Sequence, residues 1–118
     1  MARNETDIGE LDGAMLVDGY RRGTLSPVAA TRAALARIER FNPVVNAYCH
    51  VDAEGALKMA REAEARWHKG EPLSAIDGVP ASLKDLSLVK GMPAREGSLT
   101  TPSAVSYTHL TLPTIYSV

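Results

Sequence analysis

The sequence predicts an α/β fold from the order of three kinds of segment. Three stretches in which apolar residues recur every three or four positions predict helices. A stretch between the second and third helices alternates apolar and polar residues, which is typical of a half-buried strand. From Gly78 onward, short apolar pieces stand between glycines and prolines, a pattern of strands joined by loops. With 118 residues, the chain is long enough for one small domain.

The first helix is predicted from about Ile8 to Arg22. Two arginines at its end favour a helix C-terminus because they complement the helix dipole. Gly23 then follows the last turn, where glycine commonly ends a helix. The predicted apolar face consists of Ile8, Leu11, Met15 and either Leu16 or Gly19.

The second helix is predicted to begin at Ser26, whose side chain can cap it, with Pro27 in the first turn. It continues through Glu39 and is expected to end at Asn42, because the following Pro43 disfavours helical geometry in the residue before it. The predicted apolar face consists of Val28, Thr31, Leu35 and Ile38.

Residues 45–51 alternate in polarity and predict a strand, and Asp52 can cap a third helix over residues 53–69. Glu62 and Arg66 are spaced to form an ion pair on the outer face of that helix. Gly70 and Pro72 close it. The predicted apolar face consists of Ala56, Leu57, Ala60, Ala63 and Trp67.

Composition and charge exclude several classes of function. The net charge is −1 with the two signs interleaved, so no basic block can serve nucleic acid. The apolar runs are far shorter than a membrane span, and the polar N-terminus is unlike a secretory signal. A lone cysteine favours a reducing compartment. We therefore expect a soluble cytoplasmic protein with no nucleic-acid or membrane partner; its oligomeric state is not predicted.

The histidines and the cysteine are expected to have structural roles. Cys49 is predicted to be a small buried thiol on the inward face of the strand, while His50 points to the opposite face. His68 and His109 stand alone, and no histidine pair has the spacing of metal ligands. We expect neither a cysteine nucleophile nor a bound metal.

The segment that carries chemistry is Gly78-Val79-Pro80-Ala81-Ser82-Leu83-Lys84-Asp85. A lysine at the end of a short apolar strand is unusual, since a buried ammonium is costly unless it is paired or neutralised. If Lys84 is buried, its pKa falls, and the neutral amine can accept a proton from a serine. If Lys84 faces solvent, it can pair with Asp85 instead. Spacing alone favours the exposed lysine.

Further motifs lie on both sides of this segment. Gly-Val-Pro-x-x-x-Lys-Asp is followed by Val-x-Gly-x-Pro over residues 89–93 and by Gly-Ser at 97–98. Upstream stand Arg37-Ile38-Glu39, then Asn42-Pro43-x-Val45-Asn46-Ala47, then an alanine-rich helix and Pro72-Leu73. Together, over about Ile8 to Pro102, these motifs resemble the N-terminal region of the amidase signature family.

The resemblance implies an α/β fold with a mixed β-sheet flanked by helices, of which this chain supplies the first part. It implies hydrolysis of carboxamides by a Ser-Ser-Lys triad, with Lys84 as the catalytic base, Asp85 in support and no cofactor or metal. The triad serines of the family lie in a Gly/Ser-rich segment that this sequence lacks. Its nearby serines are outside that motif, so we expect the chain as written to be inactive. They are Ser82, Ser87, Ser98 and Ser103.

Two further functions stay open. The same motifs occur in the glutaminase subunit of a tRNA-dependent amidotransferase, which works in a complex with a partner. In the other case, the short chain is itself a non-catalytic interaction module. A small-molecule amide is the partner expected for the full-length parent, and the sequence does not predict which amide.

Residues 104–118 have no counterpart in the family. The run from Val105 to Thr114 back-translates into a sequence that resembles the transposon end and adapter of sequencing libraries. We therefore expect residues 1–103 to be the family portion and residues 104–118 to be read-through into adapter DNA. The alternative is a native tail of β-prone residues.

Overall fold

The computed structural model describes residues 8–83, together with the backbone of 93–94, 104–105 and 115–117. Its helices are α1 (Gly13–Arg22), α2 (Pro27–Val45) and α3 (Ala53–His68). Its strands are β1 (His50–Val51), β2 (Ala81–Leu83), β3 (Pro93–Ala94), β4 (Ala104–Val105) and β5 (Ile115–Ser117). No helix in the part of the chain that the structure describes is long and apolar enough to cross a membrane.

Helix α1 begins later than the sequence predicts. Asp12 caps it by accepting a hydrogen bond from Met15 N at 2.8 Å, so the helix starts at Gly13. The C-terminal prediction is confirmed, since Gly23 adopts a left-handed conformation with φ of 74°. The prediction for Met15 is wrong: its side chain is 54% exposed. The buried face consists of Leu16, Val17, Gly19 and Tyr20.

Helix α2 starts as predicted but continues through its proline. Ser26 Oγ accepts from Ala29 N at 3.0 Å, and the helix ends at Val45 with Asn46 as its C-cap, not before Pro43. Pro43 lies in the last turns at an exposed position, so the one backbone hydrogen bond that it removes leaves a carbonyl accessible to water. Asn42 offsets the unfavourable position before proline. Its carbonyl accepts from Asn46 N at 2.7 Å, and its side chain exchanges two hydrogen bonds with the Tyr48 backbone.

The buried face of α2 is shifted toward its N-terminus relative to the prediction. Thr31 is fully buried as expected, whereas Val28, Leu35 and Ile38 are only half-buried. The other fully buried positions are Pro27, Ala30 and Ala33. Small residues are buried here because α3 packs closely against this part of α2.

The predicted strand over residues 45–51 shortens to β1, because α2 extends to Val45. Cys49 was predicted to be buried, and this prediction is wrong, since Cys49 is exposed. The hydrogen bonds between Asn42 and Tyr48 hold this connection in a compact turn, which prevents a longer extended strand.

Helix α3 matches its prediction closely. Asp52 accepts from Gly55 N at 3.0 Å and caps the helix, which ends at His68. Of the predicted apolar face, Ala56, Ala60 and Ala63 are at most 1% exposed, whereas Leu57 and Trp67 are half-buried. A face of alanines lets α3 approach α2 closely, so the core of this region is built from backbone and methyl groups.

Among the described residues, the larger sheet has three strands in the order β1-β5-β2. Strand β5 runs antiparallel to β1 and parallel to β2, so the pairing is mixed. Strands β3 and β4 form a separate antiparallel pair. Both β4 and β5 come from residues 104–118, and the boundary at Ser103 stays a prediction.

The hydrophobic core joins α1 to α2. Its buried residues are Ile8, Leu16, Tyr20, Ala30 and Ala33. Packed against them are Leu11, Leu25, Ala29, Trp67 and Val79. Because Trp67 belongs to α3 and Val79 to the segment before β2, the core connects all three helices to the start of that strand.

We expect Gly19→Ala to destabilise the protein by about 1–3 kcal/mol, although alanine is the better helix former. A Cβ at Gly19 would lie 2.5 Å from Leu25 Cδ1 and 2.8 Å from Leu25 Cβ. The matched control is Gly13→Ala, where the nearest atom is Val79 Cγ1 at 3.9 Å. Urea denaturation of both variants measures the difference. Equal stabilities would show that α1 does not approach Leu25 this closely.

Candidate functional site

Lys84 and Asp85, the predicted site residues, lie outside the described residues, and their roles stay predictions. The described chain reaches Leu83, the last residue of β2, which directly precedes Lys84. The structure therefore shows what holds the segment that leads to the lysine. That segment is the turn Asp77-Gly78-Val79-Pro80, followed by β2.

Asp77 is the polar centre of this turn. Arg66 of α3 donates to it through two nitrogens, from Nε to Oδ2 at 2.6 Å and from Nη2 to Oδ1 at 2.7 Å. Leu73 N donates to Oδ2 at 3.1 Å. The Asp77 side chain is fully buried, while the Arg66 side chain is 24% exposed. This is a two-pronged ion pair in which both carboxylate oxygens are occupied.

The backbone of the same turn is held by two aromatic side chains from different helices. Trp67 Nε1 of α3 donates to the Asp77 carbonyl at 2.8 Å. The hydroxyl of Tyr20, from α1, donates to the Gly78 carbonyl at 3.0 Å in a buried hydrogen bond. The two rings also contact each other, with centroids 6.0 Å apart. Helices α1 and α3 thus fix consecutive carbonyls of the turn.

Gly78 is required here for two independent reasons. Its φ is 83°, a left-handed conformation that residues with a Cβ rarely adopt. A Cβ at this position would also lie 2.8 Å from Pro27 Cγ and 3.1 Å from Ala63 Cβ. The turn therefore packs against α2 and α3 at backbone distance, which leaves it little freedom to move.

Asp77, Arg66, Trp67 and Tyr20 form the Asp77 cluster, and its electrostatics favour the charged form of the ion pair. The hydrogen bond from Arg66 lowers the pKa of Asp77, against a smaller opposing effect of burial. The same hydrogen bond raises the pKa of Arg66. Burial raises the pKa of the Tyr20 phenol, which keeps its proton available for the Gly78 carbonyl. Near neutral pH, the donors and acceptors of this cluster are therefore in the states that their hydrogen bonds require.

A groove of about 350 Å³ runs beside the start of β2. Its walls include Ile38 and Phe41 from α2, and Pro80, Ala81 and Ser82 from the turn and strand. Phe41 is 46% exposed, so this mainly apolar surface is open in the described part of the chain. Among the described residues, no three metal-ligating side chains converge on one point.

Sequence reasoning missed the Asp77 cluster. It assigned Arg66 to Glu62, whereas Arg66 forms its ion pair with Asp77, and Glu62 adds only a weaker electrostatic attraction. The available signal was the adjacency of Arg66 and Trp67 on the inner edge of α3, together with an aspartate immediately before Gly78. Neither feature identifies its partner without the turn that brings residue 77 back to the helix.

Comparison with known proteins places these features in a family. The family model described as Amidase matches residues 29–109 of this chain, a range that contains Lys84 and Asp85. The glutamyl-tRNA(Gln) amidotransferase of Salinispora tropica has an A subunit that is 42% identical over 93 residues. That match covers 79% of this chain and 19% of the Salinispora protein. The chain thus spans about a fifth of the length of this relative.

Solved structures show the same fold. A bacterial aryl acylamidase of the amidase signature family superposes with a TM-score of 0.80 at 24% identity, over 88% of this chain and 22% of that chain. Fatty acid amide hydrolase superposes with a TM-score of 0.84 at 19% identity, over 99% of this chain and 22% of that chain. The predicted fold class is confirmed.

We expect Asp77→Ala to lower the free energy of unfolding by about 2–3 kcal/mol, because it removes charged hydrogen bonds from an Arg66 side chain that is only 24% exposed. The matched control is Asp18→Ala. Asp18 pairs with Arg22 at 3.1 Å on the surface, with side chains 52% and 71% exposed. That change should cost at most about 1 kcal/mol. Urea denaturation followed by Trp67 fluorescence compares them, and equal losses would contradict a structural role for the Asp77 pair.

The Asp77 pair also predicts a dependence of stability on pH. A carboxylate whose pKa is lowered by folding stabilises the protein above its unfolded pKa of about 4, and this contribution disappears as the pH falls through the folded pKa. The stability difference between wild type and Asp77→Asn should therefore be constant near neutral pH and shrink below about pH 4. Urea midpoints measured across this range test it. A difference that grows on acidification would contradict the lowered pKa.

Proposed function

This chain belongs to the amidase family, and on that premise we propose that it supplies the lysine base of an amide hydrolase. The observation that carries the proposal is the position of Lys84 within the family match, directly after a strand whose entry is fixed by Asp77 and Gly78. A base must be held within hydrogen-bond reach of the proton that it accepts. A rigid approach to the lysine meets that requirement.

In the proposed mechanism, neutral Lys84 accepts a proton that a second serine relays from the nucleophilic serine. The nucleophilic serine then attacks the amide carbonyl, and backbone N–H groups stabilise the oxyanion. The lysine returns the proton through the same relay to the leaving amine, and water, activated by the same relay, then attacks the acyl-serine and releases the carboxylic acid. Asp85 supports the orientation of the lysine. Both serines and the oxyanion donors come from residues outside 1–103.

The chain on its own is proposed to be inactive, since Lys84 has no serine pair to activate. We further propose that residues 1–103 are the amidase portion and that residues 104–118 are foreign to it. The family match continues to residue 109, and β4 and β5 lie beyond Ser103, so the nucleotide sequence has to decide this boundary.

A second candidate is the glutaminase subunit of a tRNA-dependent amidotransferase. It is favoured by the 42% identity over 93 residues to the A subunit of the Salinispora tropica amidotransferase. In this case the amide is glutamine, and the glutaminase works with a partner. Hydrolysis of glutamine that rises when the partner is added would favour this candidate, whereas efficient hydrolysis of aryl or aliphatic amides by the isolated protein would favour the first.

The first experiment is to sequence the source gene across codon 103 from DNA that has never been ligated to a library adapter. We expect the frame to continue into a Gly/Ser-rich segment with two serines. A genomic frame that ends at Val118 would contradict the amidase proposal for this protein.

The protein expressed from that frame then tests Lys84. We expect Lys84→Met to reduce kcat for amide hydrolysis by at least about 100-fold, because a general base contributes about that much or more. The matched control is Lys58→Met, since Lys58 is exposed on α3 and should be dispensable. Steady-state rates on aryl, aliphatic and glutamine amides measure both variants. An active Lys84→Met enzyme would refute the assignment of the base.

A further inference from the structure

We propose that Asp77, held by Arg66, is a positioning residue for the strand that presents Lys84. This inference rests on the proposed function of Lys84 and adds residues that the family resemblance does not name. In this proposal, Asp77 does not contact the reacting atoms. It acts by fixing the point from which β2 departs.

The contacts at this point restrict both the position and the rotation of the turn. Three donors hold the Asp77 carboxylate, and Trp67 holds its carbonyl. Tyr20 holds the next carbonyl from a different helix. Because the donors come from α1, α3 and the loop before the turn, the position of the turn is fixed relative to more than one element.

Among the described residues of 1–103, the turn supplies most of the contacts that orient β2. Only residues 78–83 separate Asp77 from Lys84, and the last three of them form β2. Among the described residues, the strand neighbour of β2 is β5, which comes from the segment proposed to be foreign. In the described part of residues 1–103, the orientation of β2 therefore depends on the turn and on its packing against α2 and α3.

A charged pair at this position fixes the orientation of the turn more than it adds to the stability of the protein. A buried ion pair is often no more stabilising than an apolar pair of the same volume, because both charges lose their hydration. The two parallel hydrogen bonds between an arginine and a carboxylate instead fix the relative orientation of the two groups. A displacement of about 1 Å at a catalytic group can reduce the rate about 100-fold. A fixed orientation of the turn therefore helps to keep the catalytic base in place.

The test uses the full-length hydrolase with Asp77→Asn, which keeps the shape of the side chain but removes its charge and one acceptor. Its matched control is Asp18→Asn in the exposed pair with Arg22. Rates are divided by the concentration of active sites, determined by burst titration, so that unfolded enzyme does not count. We expect kcat to fall about 10- to 100-fold with KM changed by less than about twofold. The control should keep the wild-type kcat.

The pH profile separates positioning from a purely structural role. In the proposed function Lys84 works as a neutral amine, so its ionisation sets the acid limb of kcat/KM, and a strand that is held less firmly changes that ionisation. In Asp77→Asn this limb should therefore move toward the ordinary lysine pKa of about 10.4. An unchanged kcat per active site together with an unchanged acid limb would overturn the proposal, even if the variant is less stable.

A second variant keeps the proposal falsifiable if Asp77→Asn does not fold. Trp67→Phe removes the hydrogen bond to the Asp77 carbonyl but keeps an aromatic ring against Tyr20. It should lower kcat per active site in the same direction, by about 3- to 10-fold, since a single neutral hydrogen bond contributes less than a charged pair. A wild-type kcat and acid limb in this folded variant would overturn the proposal.

Failure of the premise is distinguishable from failure of the inference. An inactive wild type, or an active Lys84→Met variant, refutes the proposed function. Amide hydrogen exchange then tests the positioning claim by itself. Faster exchange in Asp77→Asn confined to residues 78–83 supports it, and exchange equal to that of wild type in this segment overturns it.

Discussion

The ion pair between Arg66 and Asp77 is the interaction on which the described structure depends. It closes the loop between α3 and β2, and the buried carboxylate also receives the backbone of Leu73. Tyr20 and Trp67 donate to the two adjoining carbonyls of the same turn. The carboxylate thereby joins α3 to the turn before β2, and Tyr20 of α1 joins the same turn through the Gly78 carbonyl.

Close packing makes this arrangement possible. The alanine face of α3 lets the helix approach α2, and Gly78 brings the turn to within contact of Pro27 and Ala63. Larger side chains at these positions would push the turn outward and lengthen the distances to its donors. Tyr20 and Trp67 add to this packing, since their rings contact each other while their polar atoms supply hydrogen bonds to the turn. Packing and polar contacts are therefore parts of one arrangement.

Sequence reasoning succeeded where the determining interaction is local. The caps at Ser26 and Asp52 and the left-handed Gly23 depend on residues within one turn, and all three were predicted. It failed where a distant group decides. Helix α2 passes Pro43 because Asn42 bonds to Tyr48, and Arg66 bypasses the local Glu62 for a more distant aspartate. For the site, residue spacing alone favoured an exposed Lys84, and only the resemblance to a family pointed to a base.

A double-mutant cycle between Arg66 and Asp77 tests the central claim most directly. Arg66→Met, Asp77→Ala and the double variant are unfolded in urea, and the coupling energy is the departure of the double variant from the sum of the single losses. We predict a coupling of about 2–3 kcal/mol, at the upper end for residues in contact, because removing the second partner relieves the unpaired group left by the first. Losses that add within about 0.5 kcal/mol would show that the two side chains act independently and would contradict the central role of the pair.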